Sequence, residues 1–368
     1  MKKRISKNIE WSILICTILL VIIGLFAIYT ATASGGQDEF NKQIIWIVVS
    51  ITIMLAFILI DYDTIAKVSP VIYVIILMSL VAVLFTTPIS GATSWFNLGS
   101  VSLQPSEFAK VFVIVFLGLI MSKMKKNGPK EINRPTRLLI LFAILGVPLL
   151  LIVKQPDYGT GLAFIVAFIF MLFMAGINKR YIVAGILIIA IAVPLLYVYV
   201  LPSHAKKRID VFLNPDLDPR GSGYNLTQSK LAIGAGELLG MGYLKGNQTQ
   251  LGFLYPKSTD FIFSVIGEEM GFIVAGAIIV LYVILITKAI YVAKTAKDDL
   301  GSIIASGIAG IFFFHMVENI GMTMGLLPIT GVPLPFVSYG GSSLLSNLIM
   351  IALLLNISGR RQKAIFME

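Results

Sequence analysis

The chain has 368 residues, of which 57% are hydrophobic and 13% charged, against about 25% charged in a soluble domain. That balance excludes a soluble, core-rich enzyme and implies a polytopic membrane protein. A formal charge of +10 does not indicate a nucleic-acid partner, because most Lys and Arg residues lie in short loops between apolar runs.

Windows of about 20 apolar residues mark membrane-spanning helices. They predict ten spans, at residues 11–30, 43–60, 70–85, 108–121, 138–153, 161–175, 181–201, 261–286, 302–321 and 344–357. Pro194 interrupts the seventh. The start MKKRISK resembles a signal peptide, and Ala31-Thr-Ala33 mimics a cleavage site. The apolar run behind it is too long for that role, so it reads as an uncleaved first helix. Cys16, the single cysteine, excludes an intrachain disulfide. His204 and His315 form no metal-ligand pattern, so no zinc site and no cofactor is evident.

Orientation follows from the basic residues. Lys2, Lys3, Arg4, Lys7, Lys67, the cluster from Lys123 to Arg137, Lys179, Arg180, Lys288, Lys294, Lys297, Arg360, Arg361 and Lys363 share one side. Both termini are therefore expected in the cytoplasm. The loops 34–42, 86–107, 154–160, 202–260 and 322–343 fall outside, so all the unusual loops share the outer face and the chemistry is expected there. Loop 202–260 is far longer than an unstructured connection normally is. Within it, residues 226–239 read as a helix lying at the membrane interface, and its glycines suggest close backbone approach or re-entrant turns. The fold class is thus all-α, a single membrane domain over residues 1–368 with a large outer loop between helices seven and eight.

The stretch PKSTDFIFSVIGEEMGF (256–272) organises the rest. Asp260 sits where a polar loop enters an apolar helix. Glu268 and Glu269 follow inside it, Glu268 roughly 12 Å deeper at about 1.5 Å per residue. Ionisable groups in a membrane span are costly and by default mark function.

Several outer motifs together resemble the SEDS family of RodA, FtsW and SpoVE proteins. The most specific is NIGMTMGLLPITGVPLPFVSYGGSS (319–343). SWFNLGSVSLQPSEFAK (94–110), KQPDYGTGLAF (154–164), RIDVFLNPDLDPRGSGYNLTQSKLAIGAGE (208–237) and TDFIFSVIGEEMG (259–271) follow the same family order. The wording of residues 230–254 is similar to the RodA branch. One departure is Pro256-Lys257-Ser258, where family members often carry Pro-Glu and a His. The resemblance implies a peptidoglycan glycosyltransferase that polymerises lipid II outside the membrane. In it a GlcNAc 4-hydroxyl attacks the anomeric carbon of the donor MurNAc with inversion, and undecaprenyl diphosphate leaves. It also implies a class B penicillin-binding protein as partner, and the elongation or division machinery around it. Two rival readings use the same residues: a lipid II flippase, and a non-catalytic scaffold for the crosslinking enzyme.

Such a reaction needs a base near the acceptor hydroxyl and positive charge or donors near the diphosphate. The resemblance assigns the catalytic carboxylate to Asp260; the plain alternative is a helix N-cap. Trp95 is a substrate-contact residue by resemblance, or an interfacial aromatic anchor. Glu107 and Lys110, three apart, share a helix face; they form a buried pair, or Lys110 faces the diphosphate. Arg208 contacts phosphate or belongs to a solvated cluster with Lys206 and Lys207. Asp157 is a second outer carboxylate or a turn cap. Ser338 and Tyr339 shape the outer cavity. Glu268, Glu269, His315 and Glu318 read as polar packing between helices. A divalent cation is compatible with diphosphate chemistry, although no ligand cluster for one is visible in the sequence.

Overall fold

The computed structural model describes residues 9–361, apart from 89–91, 100, 127, 129–130 and 201. The basic residues Lys2, Lys3, Arg4, Lys7 and Lys363 lie outside the described residues. The molecule is a helical bundle, and among the described residues eight helices are long and apolar enough to cross a membrane, against ten expected; the helices over the windows 108–121 and 181–201 fall short of that measure. In chain order the helices are α1 (Trp11–Thr32), α2 (Asp38–Leu59), α3 (Tyr62–Ala82), α4 (Pro105–Lys126), α5 (Pro135–Lys154), α6 (Tyr158–Ala175) and α7 (Lys179–Leu195). They continue with α8 (Ser203–Leu213), α9 (Ser222–Ala235), α10 (Asn247–Gln250), α11 (Ile262–Thr295), α12 (Asp299–Thr323) and α13 (Gly341–Gly359).

Several spans outrun their apolar windows because polar residues occupy their ends. Helix α4 is the clearest case: it carries Glu107 and Lys110 near its start and Lys123, Lys125 and Lys126 in its last turn, which dilutes its hydropathy. Pro194 does not end the α-helix; α7 runs to Leu195 and continues as a π-helical turn, Leu196–Val200, the usual accommodation of a break in the hydrogen-bond ladder.

Helices α12 and α13 form the core; they are far more enclosed than the peripheral α2 and α3. Small residues set their approach to neighbours, as helix packing without a hydrophobic driving force requires. A Cβ on Gly310 would lie 2.8 Å from the Ala167 backbone of α6, and one on Gly118 of α4 would lie 2.8 Å from Ile304 of α12.

One end of the bundle gathers basic residues. Glu10 pairs there with Lys288 at 3.0 Å and with Arg361 at 3.2 Å. These contacts bring the start of α1, the far half of α11 and the end of α13 to the same side, the one assigned to the cytoplasm. The outer side holds a short antiparallel hairpin, β1 (Phe96–Leu98) with β2 (Val101–Leu103), in which Phe96 faces Leu103.

Helix α11 is two helices joined at a break. Gly271 has φ 76° and ψ −177°, a conformation open only to glycine. The freed carbonyls of Glu268 and Glu269 accept from Met241 N (2.9 Å) and Gly242 N (3.1 Å). The freed N–H groups of Phe272 and Ile273 donate to the carbonyls of Glu237 (2.9 Å) and Leu238 (3.2 Å). Residues 237–242 therefore enter the break as a re-entrant segment. At about 1.5 Å per residue they lie roughly 16 Å below Asp260, where irregular backbone survives only when its polar groups are paired within protein. The expected interfacial helix is α9, which stops at Ala235; the stretch behind it is this insertion.

Candidate active site

The outer loop between α12 and α13 folds into a strap, residues 329–339, on which most of the sequence-selected residues converge. Pro328 just before it, and Pro333 and Pro335 within it, deny it helical bonding, so its carbonyls are open to side chains. Arg208 of α8 donates from Nη1 to the carbonyls of Ile329 (3.4 Å) and Thr330 (3.2 Å). The Thr330 hydroxyl donates to Glu318 Oε1 at 2.7 Å. His315 Nδ1 lies 3.0 Å from the Pro333 carbonyl, which fixes it as the protonated nitrogen. Asn319 donates from Nδ2 to the carbonyls of Val332 (2.8 Å) and Asp260 (3.0 Å).

Asp260 precedes α11 and is half-buried. It does not cap that helix: the residue at the cap position is Phe261, and no side chain caps the helix. The capping alternative therefore falls away. Its Oδ2 is 3.4 Å from the point where a Cβ on Gly331 would stand, and Gly331 has φ 76°. The strap thus forms a wall beside the carboxylate. Burial raises the Asp260 pKa above the ordinary carboxylate value, opposed by the Thr259 side chain and the charge of Arg208. A carboxylate held this way is a stronger base than a solvated one.

Glu107 and Lys110 form the buried pair. Lys110 Nζ is 3.0 Å and 2.9 Å from the two Glu107 oxygens, with side-chain exposures of 0% and 2%. Lys110 also lies 3.1 Å from His315 Nε2, which must accept because Nδ1 donates to Pro333. The Ser346 hydroxyl donates to Glu107 Oε2 at 2.8 Å. The chain Ser346–Glu107–Lys110–His315 ties α13, α4 and α12 to the strap, so in this conformation Lys110 is enclosed and does not face a diphosphate.

Other expectations change in detail. Arg208 meets backbone carbonyls through Nη1, while its neighbours Lys206 and Lys207 bond elsewhere, to the Val198 carbonyl and to Asp218. Asp157 is the N-cap of α6, accepting from Thr160 N (3.2 Å) and from Gln104 Nε2 (2.9 Å). Two residues on, a Cβ on Gly159 would lie 2.2 Å from Val332, so the start of α6 presses on the strap. The Ser338 hydroxyl donates to the Thr259 carbonyl (2.7 Å) and accepts from Leu334 N (2.8 Å), while Tyr339 N donates to the Ser258 carbonyl (2.9 Å). Both hold the strap against the Asp260 segment. Trp95, half-buried, enters β1 away from these bonds. Its hairpin reaches the strap's end through Ser342, whose hydroxyl donates to the Ser102 carbonyl at 3.3 Å.

Glu268 and Glu269 are not helix-to-helix glue. Glu268 accepts from Gln248 N (2.7 Å), Thr249 N (3.0 Å) and the Thr249 hydroxyl (2.7 Å). Glu269 accepts from Leu244 N (3.1 Å), Gly246 N (3.4 Å) and Gln250 Nε2 (2.8 Å). They hold the outer loop down onto α11. His315 and Glu318 share α12 but take separate partners. Lys257 donates to Ser34 Oγ and to the Thr249 carbonyl, both at 2.9 Å. Asn319 was missed because two backbone carbonyls leave no trace in sequence.

Among the described residues, no group of three or more His, Cys, Asp or Glu side chains is placed to hold a metal ion. An apolar groove of about 350 Å³ runs along α12 where it meets α11, lined by Ile279, Met316, Val317, Ile320, Met324 and Leu327.

A family model described as "Cell cycle protein", for FtsW, RodA and SpoVE, matches residues 10–363. The chain belongs to the FtsW/RodA/SpoVE family. Among the relatives of this family member, peptidoglycan glycosyltransferase MrdB of Escherichia coli K12 is 35% identical over 352 residues, 94% of each chain. Peptidoglycan glycosyltransferase RodA of Treponema pallidum is 31% identical over 443 residues, covering 98% of this chain and all of that one. Stage V sporulation protein E of Bacillus subtilis is 36% identical over 365 residues, covering 94% of this chain and 96% of that one. A chain from a peptidoglycan synthase complex, studied for coordination of polymerisation and crosslinking, has the same fold, with TM-score 0.82 at 24% identity over 95% of this chain and 97% of that one. RodA of Thermus thermophilus matches with TM-score 0.72 at 23% identity over 96% and 98%. The family member is a multi-pass bacterial membrane protein.

Proposed function

We propose that this FtsW/RodA/SpoVE protein is a peptidoglycan glycosyltransferase that polymerises lipid II at the outer membrane surface, with Asp260 as its general base. The observation that carries this reading is the Asp260 carboxylate: half-buried, raised in pKa, free of capping duty and walled by a strap that α6, α8 and α12 hold in place. The names of relatives at 31–36% identity over nearly the whole chain support the same activity. In the reaction, Asp260 takes the proton of the acceptor GlcNAc 4-hydroxyl as its oxygen attacks the anomeric carbon of the donor MurNAc. The glycosidic oxygen bond to undecaprenyl diphosphate breaks, with inversion. The apolar groove along α12 suits a polyprenyl chain. A divalent cation arriving with the diphosphate would draw its ligands from phosphate and water oxygens. The likeness to a chain of a synthase complex supports a class B penicillin-binding protein as partner. Resemblance to the RodA branch favours a role in elongation.

The test is glycan-strand synthesis from purified lipid II by the wild type and by Asp260→Ala, each with and without the crosslinking partner. Polymer from the wild type alone of the two supports the assignment. Polymer from both in equal amount sinks the role of Asp260, and lipid II translocation without polymer from either would favour the flippase.

A further inference from the structure

We infer that Asn319 is a positioning residue for this reaction, its amide clamping the backbone of Asp260 to the strap that walls the carboxylate. The inference rests on the glycosyltransferase reading above. Asn319 is fully buried on α12. Its Nδ2 carries two protons and spends them on two carbonyls from separate segments, Asp260 at 3.0 Å and Val332 at 2.8 Å. Val332 follows Gly331, where an added Cβ would stand 3.4 Å from Asp260 Oδ2. The amide therefore bridges the two sides of one gap, the gap in which the carboxylate stands.

Only an amide or a cation offers two donors from one atom at this reach; an ammonium or guanidinium here would also place a charge beside the base. Asn319 Oδ1 has no hydrogen-bond partner among the described residues. A buried unpaired amide oxygen is a cost that packing alone gives no reason to keep. The double donation is the reason. Among the described residues, no other α12 side chain bonds to the Asp260 segment: His315 and Glu318, one turn and one residue away, bond to Pro333 and Thr330 of the strap, and His315 also meets Lys110.

A misplacement of about 1 Å at a reacting group costs on the order of 100-fold in rate. Accordingly, Asn319→Ala is expected to lower the kcat of lipid II polymerisation by about 10- to 100-fold while KM stays within about twofold. Asn319→Ser, with one proton to donate, should fall between. The acid limb of the kcat/KM profile should move to lower pH in Asn319→Ala, because a released carboxylate gains water. Amide hydrogen exchange should quicken in peptides covering 258–261 and 330–334 and not in α13. Wild-type kcat in Asn319→Ala, or a fall in kcat matched by lost folding and exchange spread over the whole chain, would overturn the inference. A folded wild type with no polymerisation overturns the functional reading itself, an outcome separable from failure of the variant.

Discussion

Two acidic regions, one just before α11 and one inside it, have opposite characters. Ahead of the helix, Asp260 receives no backbone N–H among the described residues and is pushed up in pKa by burial. Eight and nine residues on, Glu268 and Glu269 have every carboxylate oxygen engaged by donors from residues 244–250. A carboxylate with donors on both oxygens holds structure; one left desolvated and lightly partnered holds a proton affinity it can use. Clamps hold both regions. In the deep region the acids do the clamping, whereas at the outer end Asn319, Arg208 and Ser338 clamp the backbone and leave the acid open.

The largest effect should come from breaking the deep seam. A Cβ on Gly236 would lie 1.7 Å from the Gly267 carbonyl oxygen, so Gly236→Ala should prevent the re-entrant segment from closing on α11. Monodisperse protein by size-exclusion chromatography in detergent should nearly vanish. Lys110→Met leaves the buried Glu107 unpaired and should cost about 3–5 kcal/mol of stability. Adding Glu107→Gln should restore much of it in thermal unfolding, since a neutral pair leaves no orphaned charge. Glu268→Gln exchanges a charged acceptor for an amide facing two N–H groups and a hydroxyl, a loss of about 1.5–3 kcal/mol for a charged hydrogen bond. Lys257→Ala, at the rim of the same region, removes bonds to Ser34 and Thr249 in partly wet surroundings. It should cost about 1 kcal/mol and leave polymerisation near wild type.

The spans were legible because hydropathy reads chain segments one at a time. The break at Gly271 was not. Phe272 and Ile273 continue the apolar run, and what replaces the helix bonds is backbone from 237–242, which has no side-chain signature. The same reason explains Glu268 and Glu269: in sequence they are acids in a span, and their partners are N–H groups some 20 residues upstream. Asp260 was legible through the motif that carries it, as were Glu107 and Lys110 through their spacing. The partners of Arg208 were not, because the carbonyls of Ile329 and Thr330 that its Nη1 meets are backbone atoms of a segment far along the chain. The departure at Pro256-Lys257-Ser258 also acquires a physical meaning. Lys257 fastens the segment to α1 through Ser34 just past its end, and the Ser258 carbonyl takes Tyr339 N, so these residues hold the loop in place.

The contrast between the two acidic regions makes the sharpest demand on a pair of isosteric variants, Asp260→Asn and Glu268→Gln, compared for polymerisation of lipid II and for thermal unfolding at neutral pH. Because the folded-state pKa of Asp260 is raised, the folded form binds the proton more tightly than the unfolded chain. Its ionisation therefore lowers stability as pH climbs from about 4, the ordinary value, through the raised folded value. Removing that charge should leave the melting temperature unchanged or higher while polymerisation is lost. Glu268→Gln should lower the melting temperature, with activity falling only in step with the folded fraction. An Asp260→Asn protein that polymerises like wild type, or that melts as early as Glu268→Gln, would contradict the account.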